Sequence, residues 1–472
     1  MGVDLKDLLD ELRKELRPTD EEVARGLETY EFLKDLIHSK LRLDVDFKVS
    51  LEGSFAKGTA LKGDLDLDVF ILIDKEDLSK EWIEENVIRR LYPDLKKYEA
   101  HIKYAAHPYI TLRVNNIDVD VVPAYWAKTP AEAKTAVDRT PFHTRFVNSR
   151  LTSELRDEVR LLKKFFKGIG VYGAEIKVEG FSGYLTELLT IKYGDFLSVL
   201  KAMTQWVEGQ VVVVEGTHNV EILRKLFLNA PLIVPDPVDP YRNVASAVSR
   251  RSLTIAVLAS HRFLEKPSKI FFKPPRMKLS VDRINDILNG TNREVMCLIY
   301  EFKPDLSPDI MWGELKKISR KLLNALKMNN FNIIDVGLWS DEKSHAVITF
   351  DVDLSSVRQA YVVRVGPSKL CNGSINFLSK YVSRESTKAL WISYDGVIKA
   401  LTRKRYTDPK DFLMSLDKER YLESKDLRLV MISKDLNEVL NALSFREDFI
   451  EWVSVFVVKT PAWMMLNTNP PP

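Results

Sequence analysis

Only two of the 472 residues are cysteine, Cys297 and Cys371, and the chain has no CxxC pair and no histidine cluster at zinc spacing. A disulfide framework and a structural zinc are therefore not expected, and the chain reads as intracellular and cytoplasmic. Long apolar runs are missing too: no stretch reaches the ~18 residues that a membrane helix needs. The opening MGVDLKDLLDELRKELRPTD is a charged amphipathic helix without the apolar centre of a signal peptide, so neither secretion nor membrane insertion is expected. Charge of one sign is absent: 70 Lys and Arg against 67 Asp and Glu leave a net charge of +3. Bulk attraction to nucleic acid is thereby excluded, and an RNA role needs local basic surfaces. There is no internal repeat and no low-complexity tract. What remains is the composition of a soluble globular protein, 45% apolar and 29% charged. At ~150 residues per domain its length suggests about three domains.

Apolar spacing predicts helices over 4–16 and 20–41, with Pro18 ending the first and Thr19 or Asp20 capping the second. The strand LDLDVFILID follows, then a helical stretch from Glu76 to Leu91 and two strands, YITLRV and IDVDVVPAY, together a small mixed sheet carrying helices. From Glu154 to Lys167 a helix puts Leu155, Val159, Leu162 and Phe166 on one face, with Arg156, Arg160, Lys163 and Lys167 on the adjacent one. The segment FSGYLTELLTIKYGDFLSVLKAM reads as a buried helix, VPDPVDPYRN as a turn-rich connector, and VASAVSRRSLTIAVLASHRFL as another helix. KPSKIFFKPPRMKLS, residues 266–280, combines prolines and basic residues and is the expected interdomain linker. Beyond it EVMCLIYEF, FNIIDVGLWS, HAVITFDVD and QAYVVRVG are strands around the helix GELKKISRKLLNALKMN, in an α+β domain that ends in segments such as LTRKRYTDPKDFL. The expected domains are 1–152, 153–280 and 281–472.

The chemistry concentrates in GSFAKGTALKGDLDLD, residues 53–68. Asp66 and Asp68 alternate with Leu65, Leu67 and Val69, so both carboxylates share one strand face. Two such charges need a counter-ion, and Mg²⁺ favours hard oxygen ligands completed by substrate phosphates. Asp118 and Asp120 repeat the device in IDVDVVP. If the two strands are neighbours, one of these completes a triad able to hold two metals. Gly53 and Ser54 form a turn whose N–H groups, with Lys57, suit phosphate oxygens. The order Lys57, Gly58, Thr59 is not that of a P-loop, which disfavours Walker-type chemistry. Singly, a GS turn is often only a turn and a DxD strand only a solvated edge. Their joint order favours function.

These residues resemble the nucleotidyltransferase superfamily of DNA polymerase β and the poly(A) polymerases. The closer resemblance is to the archaeal, class I CCA-adding enzymes, carried by GSFAKGTALKGDLDLDVF, IDVDVVPAY, RTPFHTRFV, LLKKFFKGIGVYGAEIKVEGFSGYLTELL and DPVDPYRNVASAVS, in that order over roughly 20–290. The resemblance implies a multidomain α+β chain: a polymerase β-like nucleotidyltransferase head, a mostly helical central domain and α+β C-terminal RNA-binding domains. It implies Asp66, Asp68 and Asp120 as Mg²⁺ ligands, with Asp120 preferred over Asp118 because it stands directly before VVP. It also implies Gly53, Ser54 and Lys57 at the triphosphate, with Lys57 where the family commonly has Arg. His143, Lys163 and Tyr172 would complete the nucleotide site, and Arg242 would read the base edge. The implied partners are tRNA, CTP and ATP, with no membrane and with a homodimer as one assembly to test. The implied reaction is addition of C, C and A to the tRNA 3′ end, with the linker and LTRKRY supplying charge to the acceptor stem. A poly(A) polymerase-like enzyme and a non-catalytic RNA-binding protein of the same fold are the alternatives.

Overall fold

A computed structural model describes residues 5–104 and 107–465. They fall into two compact units, Leu5–Pro275 with Ala462–Met465, and Arg276–Pro461. The described residues up to Pro275 lie together in the first unit.

In the first unit, Thr19 caps the helix Asp20–Lys40. Its hydroxyl accepts from the Glu22 N–H at 3.2 Å, while the Glu22 carboxylate accepts from the Thr19 N–H at 2.8 Å. Five strands follow: β1 (Phe47–Glu52), β2 (Asp66–Ile73), β3 (His101–Tyr104), β4 (Pro108–Val114) and β5 (Ile117–Tyr125). They pair in the order β1-β2-β5-β4-β3, parallel only between β2 and β5. Leu67, Val69, Ile71, Val119 and Val121 bury the odd-numbered face against Leu33 and Ile37 of the capped helix and against Ile83 to Leu95. The helical stretch expected over 76–91 spans Lys80–Leu95, with a π-helical turn at Glu84–Ile88. The opposite, even-numbered face carries the acidic residues.

The helix Leu5–Leu16 belongs elsewhere: Leu8, Leu9 and Leu12 pack against Leu161, Leu162 and Phe165 of the helix Ser153–Gly168. The single helix expected from FSGYLTELL onward is two, Gly183–Tyr193 and Phe196–Met203. Gly194, at φ 90°, ends the first, and the Asp195 carboxylate caps the second. Two short strands, β6 (Gln210–Val211) and β7 (Leu232–Ile233), pair in parallel. VASAVS is not helical, and the next helix starts at Arg250 behind its cap Ser249. The expected linker contains the division between the units, at Pro275/Arg276, but its Phe271 and Phe272 belong to the first unit's core, buried among Phe165, Phe196 and Phe263. Trp463, far along the chain, stacks on Phe271 at 6.2 Å.

In the second unit, β8 (Arg293–Glu301), β9 (Ile333–Ser340) and β10 (His345–Asp353) join a strand not expected from the sequence, Arg428–Ser433, in one antiparallel sheet. Met296, Leu298 and Ile348 face the helix Pro308–Met328, while Cys297, Ile299 and Val347 face Phe449 and Val453 of the helix Arg446–Val458. β11 (Tyr361–Val365), expected beside these strands, pairs instead in a second sheet with β12 (Thr387–Ile392) and β13 (Ile398–Arg403). β14 is the strand Arg428–Ser433.

The charge expected for RNA is partly consumed internally. Lys404 of LTRKRY is buried and donates to the carbonyls of Asn330 at 3.0 Å and Ser356 at 2.7 Å, whereas Arg403 and Arg405 are exposed. Lys269 pairs with Glu11 at 2.6 Å, Lys273 with Glu15, and Lys278 with Glu447.

Candidate active site

Register decides which carboxylates meet. Along the parallel pair of β2 and β5, Asp66 stands opposite Asp118 and Asp68 opposite Asp120. On the other side Glu52 of β1 stands opposite Asp68, so Glu52, Asp68 and Asp120 form one row across three strands. In an antiparallel pair such as β1 and β2, the Cβ atoms of directly opposed residues lie within ~5.5 Å of each other. Asp118 has a basic neighbour, Arg113, at 3.7 Å. Asp66, Asp68 and Asp120 form no salt bridge among the described residues, and each has its pKa raised. For Asp68, burial and then the Asp120 charge push it up to about 6. Burial acts first on the other two, reinforced at Asp66 by Asp64 and Asp118, and opposed at Asp120 by Lys103.

Among the described residues no three His, Cys, Asp or Glu side chains converge into a ready-made metal cage. That suits a hard divalent cation that takes one or two carboxylates, keeps waters and draws its other ligands from substrate phosphates. The donor set is all oxygen, partly desolvated and short of positive charge, and so fits such a cation.

The GS turn is built against this row. Gly53 has φ 71°, and a Cβ there would lie 1.7 Å from Asp68 Oδ2. Only glycine satisfies both the backbone and the contact. Gly53–Ala56 forms a single helical turn, closed by the Lys57 N–H to Gly53 carbonyl bond at 3.2 Å and followed by the Thr59 N–H to Ser54 carbonyl bond at 2.9 Å. Ser54 is half-buried on this turn. Lys57 is buried, and its Nζ donates to Glu187 Oε2 at 2.6 Å.

The basic stripe of the helix Ser153–Gly168 also turns inward, onto the loop that follows. Arg156 donates to the Lys57 carbonyl at 2.9 Å, Arg160 to those of Ala60 at 2.9 Å and Gly58, Lys163 to that of Thr59 at 3.1 Å, and Lys167 pairs with Asp64. The partner at which this stripe is aimed is the chain itself. Lys163 is buried, and desolvation, opposed by Glu187, pulls its pKa down to about 8.

Tyr172 adjoins this cluster: a Cβ on Gly183 would lie 3.1 Å from its hydroxyl and 3.9 Å from Lys163 Nζ. Burial, then Glu187 and Asp64, raise the Tyr172 pKa. His143 is buried, stacks on Tyr184 at 4.1 Å and places Nε2 2.9 Å from Asp236 Oδ2, and Asp236 Oδ1 accepts from the Tyr184 hydroxyl at 3.0 Å. Burial opposes ionisation of Asp236, but the bond to His143 outweighs it and holds the carboxyl below its ordinary range. The Tyr184 ring lies 5.9 Å from Lys57 Nζ, so this group continues into the Lys57 cluster. Arg242 stands further out. Its carbonyl accepts from the Asp236 N–H at 3.0 Å, its Nη1 is buried without a hydrogen bond, and its side chain lines a cavity of about 680 Å³ with Arg139 and Tyr241.

Residues 31–143 match a family model for a nucleotidyltransferase domain, 157–273 one for the tRNA nucleotidyltransferase second domain, and 293–428 one for the CCA-adding enzyme C-terminal domain. A CCA-adding enzyme of Sulfolobus acidocaldarius is 38% identical over 463 residues, 95% of this chain and 97% of that one. The chain belongs to the CCA-adding enzyme family. A second such enzyme, from Sulfurisphaera tokodaii, is 35% identical over 96% of this chain and 99% of its own. The solved structure of a cytoplasmic RNA terminal U-transferase covers 57% of this chain and 98% of its own at 15% identity, with a TM-score of 0.45, too distant to bear on the chemistry.

As a CCA-adding tRNA nucleotidyltransferase, the chain has a nucleotidyltransferase head on which Asp66, Asp68 and Asp120 share one sheet face. Sequence reasoning missed Glu187 and Asp236, both fully buried, together with Thr59 and Tyr184. A lone carboxylate in the apolar run YLTELLT was the available signal for Glu187, since an unpaired buried Glu is untenable. Asp236 had none, because aspartate is ordinary in a proline-rich turn.

Proposed function

We propose that this chain adds C, C and A in turn to the 3′ end of tRNA from CTP and ATP, releasing pyrophosphate, with Mg²⁺ as its metal and the cytoplasm as its place. The observation that carries the residue-level reading is the register that sets Asp68 beside Asp120 and one step from Asp66. These three would hold the metal, which when bound lowers the pKa of the terminal ribose hydroxyl and neutralises the triphosphate. Asp120, on β5, is the carboxylate at the attacking hydroxyl, because Asp118 already faces Arg113. The hydroxyl gives up its proton, to Asp120 or to solvent, its oxygen bonds to the α-phosphorus, the bond from that phosphorus to the oxygen bridging to the β-phosphate breaks, and pyrophosphate leaves.

The N–H groups of the Gly53–Ala56 turn and the Ser54 hydroxyl receive the phosphate oxygens. Lys57 has two ammonium hydrogens not engaged by Glu187 and contributes them with its charge. Lys163 donates to Thr59 and serves by charge and by bracing the loop. His143 and Tyr172 wall the nucleotide, and Arg242, with an unpartnered N–H group, meets the base edge. Segments 1–152, 153–280 and 281–472 act as head, central and tRNA-binding regions, with Arg403 and Arg405 among the exposed cations that meet acceptor-stem phosphates.

The deciding experiment supplies tRNA ending at the discriminator base with Mg²⁺ and each nucleotide singly or together, and resolves products by one nucleotide. Ordered addition stopping after C, C and A supports the proposal. Unlimited A addition means a poly(A) polymerase-like enzyme, and tRNA binding without any extension means a non-catalytic protein.

A further inference from the structure

Lys57, Thr59, Lys163 and Glu187 meet in the interior, none more than 8% exposed. Glu187 Oε2 accepts from Lys57 Nζ at 2.6 Å, and Oε1 accepts from the Thr59 hydroxyl at 2.6 Å. The Thr59 oxygen accepts in turn from Lys163 Nζ at 3.0 Å, and Lys163 itself stands 3.5 Å from Glu187 Oε1. Two ammonium groups thus share one carboxylate, and the second positive charge falls to Asp68, whose ionised form Lys57 favours, and to any anion bound at the cluster's edge.

The helix that carries Glu187, Gly183–Tyr193, is otherwise committed to the core through Leu185, Leu188 and Leu189. Replacing Glu187 alone by an apolar side chain would strand two buried ammonium groups, whereas well-packed apolar residues in place of Lys57, Lys163 and Glu187 together would cost the fold little. The cluster as a whole, and with it the carboxylate, therefore needs a reason beyond stability.

We propose that Glu187 is a positioning residue for nucleotide binding: it holds Lys57 directly, and Lys163 through Thr59, as one charged unit behind the GS turn, aimed at the triphosphate. This rests on the reading that Lys57 and Lys163 serve the triphosphate. The groups facing Lys163 are Glu187, Lys57 and Arg160, with the Tyr172 hydroxyl across Gly183. Of these only Glu187 favours the ammonium form. Without its charge, the Lys163 pKa falls further below about 8, and the cluster loses a positive charge as pH rises.

The test measures KM for CTP, KM for tRNA and melting temperature in the full chain at about pH 6.5 and about pH 8.5. Glu187→Gln is expected to raise KM for CTP about tenfold at the higher pH and about threefold at the lower, with KM for tRNA unchanged. Thr59→Val, a milder change should the first variant fold poorly, is expected to shift KM for CTP in the same direction by a smaller factor. A pH-independent loss that strikes both substrates and the melting temperature together marks a purely structural Glu187 and overturns the proposal, as does an unchanged KM for CTP. Lys57→Met separates the two layers of inference. If it leaves KM for CTP unaltered, the triphosphate reading fails; if it raises that KM while Glu187→Gln does not, only the positioning role fails.

Discussion

Asp118 and Asp120 look alike in IDVDVVP, yet they stand in different electrostatic surroundings. Asp118 is exposed beside Arg113, while Asp120 is drawn into the row with Asp68. Asp120→Ala is expected to reduce nucleotide addition by on the order of a thousandfold, and Asp118→Ala by less than about threefold, in single-turnover extension of tRNA. Asp68 adds a pH signature. Its folded-state value of about 6 lies above the ~3.9 of an unfolded Asp, so the folded chain binds that proton more tightly. Its contribution to stability is present below about pH 4 and is lost as pH rises through about 6. Asp68→Asn should therefore melt about 2–4 °C above the parent chain at neutral pH without divalent ions, and the rise in melting temperature expected when Mg²⁺ is added to the parent should be lost in the variant. Gly53 is as constrained as the acids: Gly53→Ala drives a methyl into Asp68 Oδ2 from a strained backbone, and a hundredfold or greater loss of extension is expected, on the order of 3 kcal/mol in the barrier.

At the scale of the element, the helix Ser153–Gly168 shows how a correct pattern can be assigned the wrong partner. Its apolar and basic faces are those expected from periodicity, and its bounds differ from the expected ones by one residue at each end. The basic face nevertheless bonds the carbonyls of residues 57–60 instead of facing outward. A stripe of this kind looks the same in sequence whether it meets RNA phosphates or backbone oxygens, since both are acceptors. Arg160→Met is thus expected to raise KM for CTP several-fold by loosening that loop. It should leave the salt dependence of tRNA binding unchanged, because no phosphate contact is lost, and a titration of tRNA affinity against salt checks this. The β11 strand follows the same logic: its alternation predicts a strand, but pairing partners are chosen by long-range contacts that alternation does not encode.

For the whole molecule, the largest departure is that units do not follow chain order. Trp463 lies after the second unit and is buried in the core of the first, against Phe271. Trp463→Ala should cost the first unit about 3–5 kcal/mol, read by calorimetry as a selective drop of one of two unfolding transitions. The expected linker shares this reason. Prolines and lysines mark 266–280 as a connector, and the units do divide inside it at Pro275/Arg276, yet Phe271 and Phe272 complete an aromatic core that no local window reveals.

By itself the sequence determined the family, the strand that carries Asp66 and Asp68, the glycine that must precede them and the bounds of the helices Leu5–Leu16, Asp20–Lys40 and Ser153–Gly168 to within one residue. These depend on short-range geometry: period-two alternation, caps, turns and motif order. Only the tertiary structure decided that Asp68 and Asp120 stand opposite each other, that Glu187 joins two lysines, that Asp236 holds His143 and Tyr184, and that the basic stripe faces inward. Each of these relations joins residues from separate segments of the chain. Their energy comes from burial and charge pairing in three dimensions, which composition and spacing along one dimension leave open.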